Sequence, residues 1–211
     1  MLDEIASERN SRVVFRVSSI PASDDQFLDQ LNLDIAGREE LMDFLSERIS
    51  QNLIGEMLDR PFDPRRKFRP RTRFSDGTFP VFYSAFTIET AKAEVAYWFR
   101  NGYAGKPRKD RIAYFQSFHC RFEGLEKDLR SKVSDWPNLV HESDYSFCNQ
   151  LGMEARGKGI DGLVVPSARH EGANMPIFVR HAISDPELEG TVRMTYSADS
   201  GEVSIDCLPP E

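Results

Sequence analysis

The sequence predicts a single α+β domain: a mostly antiparallel mixed sheet flanked by helices. Three observations carry that expectation. At 211 residues the chain is long enough for one well-packed domain and marginal for two. Short runs rich in β-branched and aromatic residues recur along it, as strands require. Between them lie stretches with apolar residues at helical spacing, and a hairpin signal closes the chain. An apolar fraction of 40% with 11% aromatics suits a globular fold.

Taken in order, Arg12-Val13-Val14-Phe15-Arg16-Val17 reads as an opening strand. Ser23 with Gln26 has the form of a capping box, which predicts a helix from Asp24 to about Leu33. A second helix is expected within Arg38 to Leu58, where Leu41, Leu45, Ile49 and Leu53 repeat every four residues. Met42, Ile54 and Met57 widen that stripe into a core-facing or partner-facing surface. Phe79 to Ala85 predicts a short buried strand, and Thr87 an N-cap for a helix from Ile88 to about Asn101, ended by Gly102. Asp110 to Arg121 predicts a long strand, and Glu142 to Arg156 a helix closed by Gly157 and Gly159. Gly162-Leu163-Val164-Val165 and Ile177-Phe178-Val179 predict short strands around a polar loop. Thr191–Tyr196 and Val203–Cys207 flank Ala198-Asp199-Ser200-Gly201 as a hairpin.

Composition excludes several classes. No apolar run approaches the roughly 20 residues that span a bilayer, and Met1-Leu2-Asp3-Glu4 lacks the basic segment of a secretory leader. A cytoplasmic protein without membrane contact is expected. Cys120, Cys148 and Cys207 form no Cys-x-x-Cys pair, and His119, His141, His170 and His181 have no ligand spacing. Free thiols and no metal are therefore expected. The net charge of −7 disfavours nucleic-acid binding by the whole surface. Against that trend, Arg60, Arg65, Arg66, Lys67, Arg69, Arg71 and Arg73 crowd one loop stiffened by Pro61, Pro64 and Pro70. Such a loop is either a solvated surface or a local positive field for an anion such as a pyrophosphate.

The usual nucleotide signatures are missing. The chain has no Gly-x-Gly-x-x-Gly and no Gly-x-x-x-x-Gly-Lys loop, and Ser167 lies in Pro166-Ser167-Ala168 rather than in a Gly-x-Ser-x-Gly elbow. The most informative side chain is Glu94. On a helix its neighbours are Thr90, Ala91, Tyr97 and Trp98, none of which can pair with a carboxylate as a cation would. Glu89 is the contrast, with Lys92 three residues on. Spacing alone leaves two readings of Glu94, a functional carboxylate or a partly exposed one whose aromatic neighbours point elsewhere. Residue type leaves the others equally open. Arg73 could be one more loop arginine, Tyr83 core, Ser167 a turn cap after Pro166, and Asn174 an ordinary loop asparagine.

Arg73-Phe74, Val81 to Ala85, Glu89 to Glu94 and Pro166-Ser167-Ala168-Arg169, in this order, resemble the RES-domain family. Asp144-Tyr145, Gly162 with its strand, and Asn174 followed by Ile177-Phe178 resemble its later blocks. The likeness covers about residues 73–180, with Phe15-Arg16 in the opening strand. The family's arginine, glutamate and serine fall on Arg73, Glu94 and Ser167. Thr72 and Ser75 stand where the family often has glycine and asparagine, and the helical stretch at about 23–58 is unaligned.

The resemblance implies a fold similar to ADP-ribosyltransferases and an enzyme acting on NAD+ as its substrate. It also implies a toxin neutralised by a cognate antitoxin that carries a helix-turn-helix DNA-binding domain, so that DNA is met only through the antitoxin. Glu94 would stabilise the positive ribose or hold its hydroxyls, and Arg73 would bind the pyrophosphate. Tyr83 would stack on nicotinamide or ribose, while Ser167 and Asn174 would fix either by hydrogen bonds. The reaction would be hydrolysis or phosphorolysis of the nicotinamide–ribose bond, with transfer of ADP-ribose to a protein as the alternative. From a different class, a non-enzymatic nucleic-acid module would use the basic loop 60–73 and leave Glu94 structural. The apolar helix Leu41 to Met57 makes a homodimer conceivable.

Overall fold

The computed structural model describes residues 1–19, 37, 40–41, 51–66, 69–103 and 110–208. Its elements run β1 (Glu8–Ser19), α1 (Gln51–Asp59), β2 (Phe82–Ala85), α2 (Ile88–Tyr103) and β3 (Arg111–Asp128). They continue with α3 (Ser146–Gly157), β4 (Gly162–Pro166), β5 (Ala173–Ile177), β6 (Ile183–Tyr196) and β7 (Val203–Leu208). The strands form one seven-stranded sheet in the order β1-β2-β5-β4-β3-β6-β7, and β1 also pairs with β3. Following those pairings, β1, β2, β5, β4 and β3 close a ring, from which the β6–β7 hairpin runs off β3. Only β3–β4 is parallel among the described strands, with Glu126 opposite Gly162. The mostly antiparallel mixed sheet is as expected.

Elements differ from expectation where pairing outweighs local pattern. Strand β1 extends well past Arg12–Val17 because polar Glu8 to Ser11 pair with Glu126 to Glu123 of β3. Strand β3 has 18 residues because both of its edges are used. Strand β5 precedes the predicted Ile177–Val179. Asn174 and Pro176 are poor strand formers, but β2 and β4 pair with this segment from either side. Helix α3 starts after Glu142 because local side chains engage the backbone first. His141 Nδ1 accepts from Asp144 N and Asp144 Oδ1 from Ser146 N. The terminal hairpin is present, with Tyr196 opposite Val203 and Gly201 at a φ of 71° that glycine takes freely.

The predicted helix at 24–33 lies outside the described residues. Of the second, Gly37, Glu40 and Leu41 are helical, as is α1. Ile54, Met57 and Leu58 of α1 are buried against Val14, Phe82 and Phe118. This part of the apolar stripe is core, which withdraws it from the surface considered for a homodimer. A second cluster packs Leu151 and Ala155 of α3 against β4, and a third sets Ala91 and Phe99 of α2 on β1, β3 and β6.

Candidate active site

Helix α2 carries the central carboxylate. Thr87 caps it, its Oγ accepting Thr90 N at 3.2 Å. Ala91, Val95 and Phe99 make the face that packs on the sheet. One residue round the helix, Thr90, Glu94 and Trp98 form the neighbouring row. Glu94 is half-buried, and its Oε1 accepts two hydrogen bonds, from Ser167 Oγ at 2.6 Å and Asn174 Nδ2 at 2.5 Å. Among the described residues Glu94 has no ion-pair partner, and Oε2 accepts no hydrogen bond. One carboxylate oxygen is fixed and the other is available to a ligand.

Ser167 and Asn174 are brought to Glu94 by the turn between β4 and β5. Ser167 N bonds Gly172 O at 2.9 Å to close that turn. Ser167 Oγ also accepts from Arg169 N and His170 N, at 3.0 and 3.2 Å. With two N–H donors on its oxygen and its own proton on Glu94, this hydroxyl is an orienting group, not a nucleophile. His170 Nδ1 meets Thr90 Oγ1 at 3.0 Å, tying the turn to α2. Ser167→Ala orphans two turn amides and leaves Glu94 held by Asn174 alone, so it should lower stability by about 1–2 kcal/mol. On the catalytic role proposed for Glu94 below, turnover should also fall about tenfold through its misplacement. Thermal melts and rate measurements on one sample check both.

A cavity of about 370 Å³ lies beside this group. Arg16 and Val17 of β1, Ser84 and Ala85 of β2, and Asn174 and Pro176 of β5 contribute to its wall. Of these, β1 and β2 meet loosely, sharing the single register pair Phe15–Ala85, while β2 and β5 pair along four residues. Glu94 and Trp98 also line the cavity, as do Arg71, Arg73 and Arg169. Trp98 is 51% exposed, so it leaves Glu94 open to solvent on that side. It stands beside Tyr145, with ring centroids 6.2 Å apart.

Among the described residues these cations are held by carbonyl and amide oxygens and aromatic rings rather than paired with carboxylates. Arg73 Nη1 donates to Leu139 O at 3.2 Å and His141 O at 2.8 Å, with its guanidinium 4.6 Å from the Tyr145 ring centroid. Arg169 stacks 3.4 Å from the Tyr97 ring centroid and donates to Glu142 O at 2.6 Å. Arg16 donates to Tyr83 O at 2.6 Å and covers the Phe82 ring at 4.5 Å. The Nε atoms of both Arg16 and Arg169 are buried without a hydrogen-bond partner. Burial pulls the Arg16 pKa down to about 10. A guanidinium stays charged at neutral pH, so an anion in the cavity relieves that cost.

Tyr83 lines the cavity, but its hydroxyl is engaged in structure. It donates to Thr72 Oγ1 at 2.7 Å and accepts from Phe74 N at 2.8 Å, and burial pushes its pKa far above the ordinary phenol range. Elsewhere in the basic loop, Arg65 pairs with Asp63, and Arg69 donates to Asp63 O and Arg66 O. Of the described loop, the Pro70–Arg73 end reaches the cavity. Among the described residues, no group of three or more His, Cys, Asp or Glu is placed to hold a metal ion, and no helix is long and apolar enough to cross a membrane.

The family model of the RES domain matches residues 47–197. The chain belongs to the RES-domain family. Glu94 and Ser167, on which the resemblance places the family's glutamate and serine, are hydrogen-bonded to each other, and Arg73, on which it places the arginine, lines the same cavity. A solved structure similar in fold is the MbcT chain of the M. tuberculosis MbcT–MbcA toxin–antitoxin complex. It has 14% identity and a TM-score of 0.54, over 95% of this chain and 92% of that one. No curated protein matches.

Sequence reasoning named Arg73, Glu94, Ser167, Tyr83 and Asn174 as candidates, and all but Ser167 line the cavity itself. It did not single out Arg16, Arg71, Asn149 or Arg169 as site residues. For Arg16 a signal was present, an arginine inside an apolar strand run.

Proposed function

We propose that this RES-domain protein consumes NAD+ by cleaving its nicotinamide–ribose bond. The observation that carries the reading is Glu94, a carboxylate fixed by Ser167 and Asn174 through one oxygen, in a cavity whose other charged lining residues are Arg16, Arg71, Arg73 and Arg169. When that bond breaks, its electron pair leaves with nicotinamide, whose ring nitrogen loses its positive charge. The charge passes to the ribose as an oxocarbenium ion. Glu94 meets that charge through Oε2, in surroundings of lower dielectric than water. The acceptor then adds a lone pair to the ribose carbon and gives up its proton to solvent or to Glu94. Arg71, Arg73, Arg16 and Arg169 receive the diphosphate, for which a guanidinium fork is suited.

As a consumer of NAD+ the protein would act in the cytoplasm as the toxin of a toxin–antitoxin pair. The antitoxin, with a helix-turn-helix DNA-binding domain, would cover the cavity. The fold shared with a chain of a toxin–antitoxin complex supports this. Nucleic-acid binding by the basic loop is disfavoured, because Arg65 pairs with Asp63, Arg69 donates to backbone carbonyls, and Arg71 and Arg73 line the cavity. Expression alone should arrest growth and drain cellular NAD+, and co-expression of the neighbouring antitoxin should restore both. Normal growth with intact protein accumulating would rule out the toxin reading.

A further inference from the structure

We propose that Asn149 is a positioning residue that holds Arg71 and Arg73 where they receive the substrate's diphosphate. The proposal rests on the NAD+ reading above. Asn149 lies on α3, 4% exposed, and its side-chain amide bonds to three consecutive loop residues. Nδ2 donates to Thr72 O at 2.7 Å and to Arg73 O at 2.8 Å, and Oδ1 accepts from Arg71 Nε at 2.8 Å. Both donors of the amide are used and its oxygen orients an arginine that lines the cavity.

A buried amide on a helix is costly unless satisfied, and here what satisfies it is the loop that carries the two arginines. The bonds act on backbone and side chain together. The two carbonyls fix the path of the loop, while the Nε bond fixes the direction of the Arg71 fork. Ser146 Oγ, from the first turn of α3, accepts from Arg71 Nη2 at 3.3 Å and adds to that setting. None of these bonds reaches Glu94, Ser167 or Asn174, which are held by α2 and the β4–β5 turn. Loss of the Asn149 amide therefore loosens the diphosphate-binding side and leaves the carboxylate side as it was.

The consequence is a split between binding and chemistry. Asn149→Ala should raise KM for NAD+ and Kd for ADP about tenfold or more, the equivalent of one or two lost hydrogen bonds. Its kcat should stay within about threefold, because the group that meets the ribose charge is untouched. Asn149→Asp should not rescue, since its carboxylate would face the carbonyls of Thr72 and Arg73. Arg71→Ala should reproduce the KM effect, and the double variant Arg71→Ala/Asn149→Ala should add little to it, as expected of coupled partners.

Steady-state kinetics with NAD+ and calorimetry with ADP, run on the full chain, decide the matter. Unchanged KM and Kd in a folded Asn149→Ala protein would overturn the proposal, as would a kcat loss at constant KM. If Asn149→Ala does not fold, Asn149→Ser and the Arg71→Ala pair give the same readout. If the wild type binds ADP but releases no nicotinamide, the cleavage reading fails while the ADP affinities of the variants still decide the role of Asn149. If the wild type does not bind ADP, this proposal is itself wrong.

Discussion

Glu94→Gln is expected to lower NAD+ turnover by about 10²–10³-fold, the usual cost of one lost electrostatic contact to a transition state. The geometry makes this a clean substitution. A glutamine Oε1 can still accept from Ser167 Oγ and Asn174 Nδ2, so the ties to the β4–β5 turn survive. Only the charge on the second oxygen is replaced, by an amide N–H₂ that repels an oxocarbenium ion. Two charge-assisted bonds become neutral ones, which costs about 1 kcal/mol of stability. Glu89, exposed in the first turn of the same helix, is the control. Among the described residues it forms no salt bridge with Lys92. Glu89→Gln should therefore change stability by well under about 1 kcal/mol and leave turnover nearly intact. Equal loss in both variants would point to a damaged helix rather than to a catalytic Glu94.

Gly152→Ala should be the most damaging small substitution away from the cavity. Helix α3 comes so close to the arginine loop that a Cβ on Gly152 would stand 2.0 Å from Phe74 O. The obstacle is backbone, so it cannot rotate aside as a side chain would. Phe74 is 1% exposed and packed with Leu151 and Ala155, so relief must come from moving the loop, and Arg73 with it. Overpacking of this kind costs about 1–3 kcal/mol. For a chain of this size that lowers the melting temperature by roughly 5 °C. KM for NAD+ should rise about tenfold even well below the melting point, since displacing a binding group by an ångström is expensive. Gly157 ends the same helix with open space where a Cβ would stand, and Gly157→Ala should be neutral. A Gly152→Ala protein with normal melting and KM would mean that α3 and the loop can separate without consequence.

The sequence disclosed the site where chemistry depends on residue type and failed where it depends on long-range contact. Glu94 stands out because no cation lies within helical reach, and it has no ion-pair partner among the described residues. Ser167 and Asn174 are found through family order, and both meet Glu94 Oε1. Asn149 has no local signal. Its partners lie 77 and 76 residues away, and Cys148-Asn149-Gln150 reads as an ordinary helical stretch. Tyr83 is expected to stack on the ligand, yet its hydroxyl holds Thr72 and Phe74, a role that only the folded loop reveals. In the fold, α2 is legible from its Thr87 cap and its apolar spacing. Strand β5 lies earlier than the pattern predicts because Asn174 and Pro176 argue locally against a strand. Pairing with β2 and β4 overrides that preference.

The central claim is that this cavity breaks the nicotinamide–ribose bond through Glu94. Its most direct test is the nicotinamide released from NAD+ by the purified protein, with and without phosphate and with cell extract as a source of other acceptors. Glu94→Gln is assayed in parallel at equal folded concentration. The account predicts steady release by the wild type and a loss of about 10²–10³-fold in the variant. No release by the wild type under any acceptor condition, or equal release by both proteins, would contradict it.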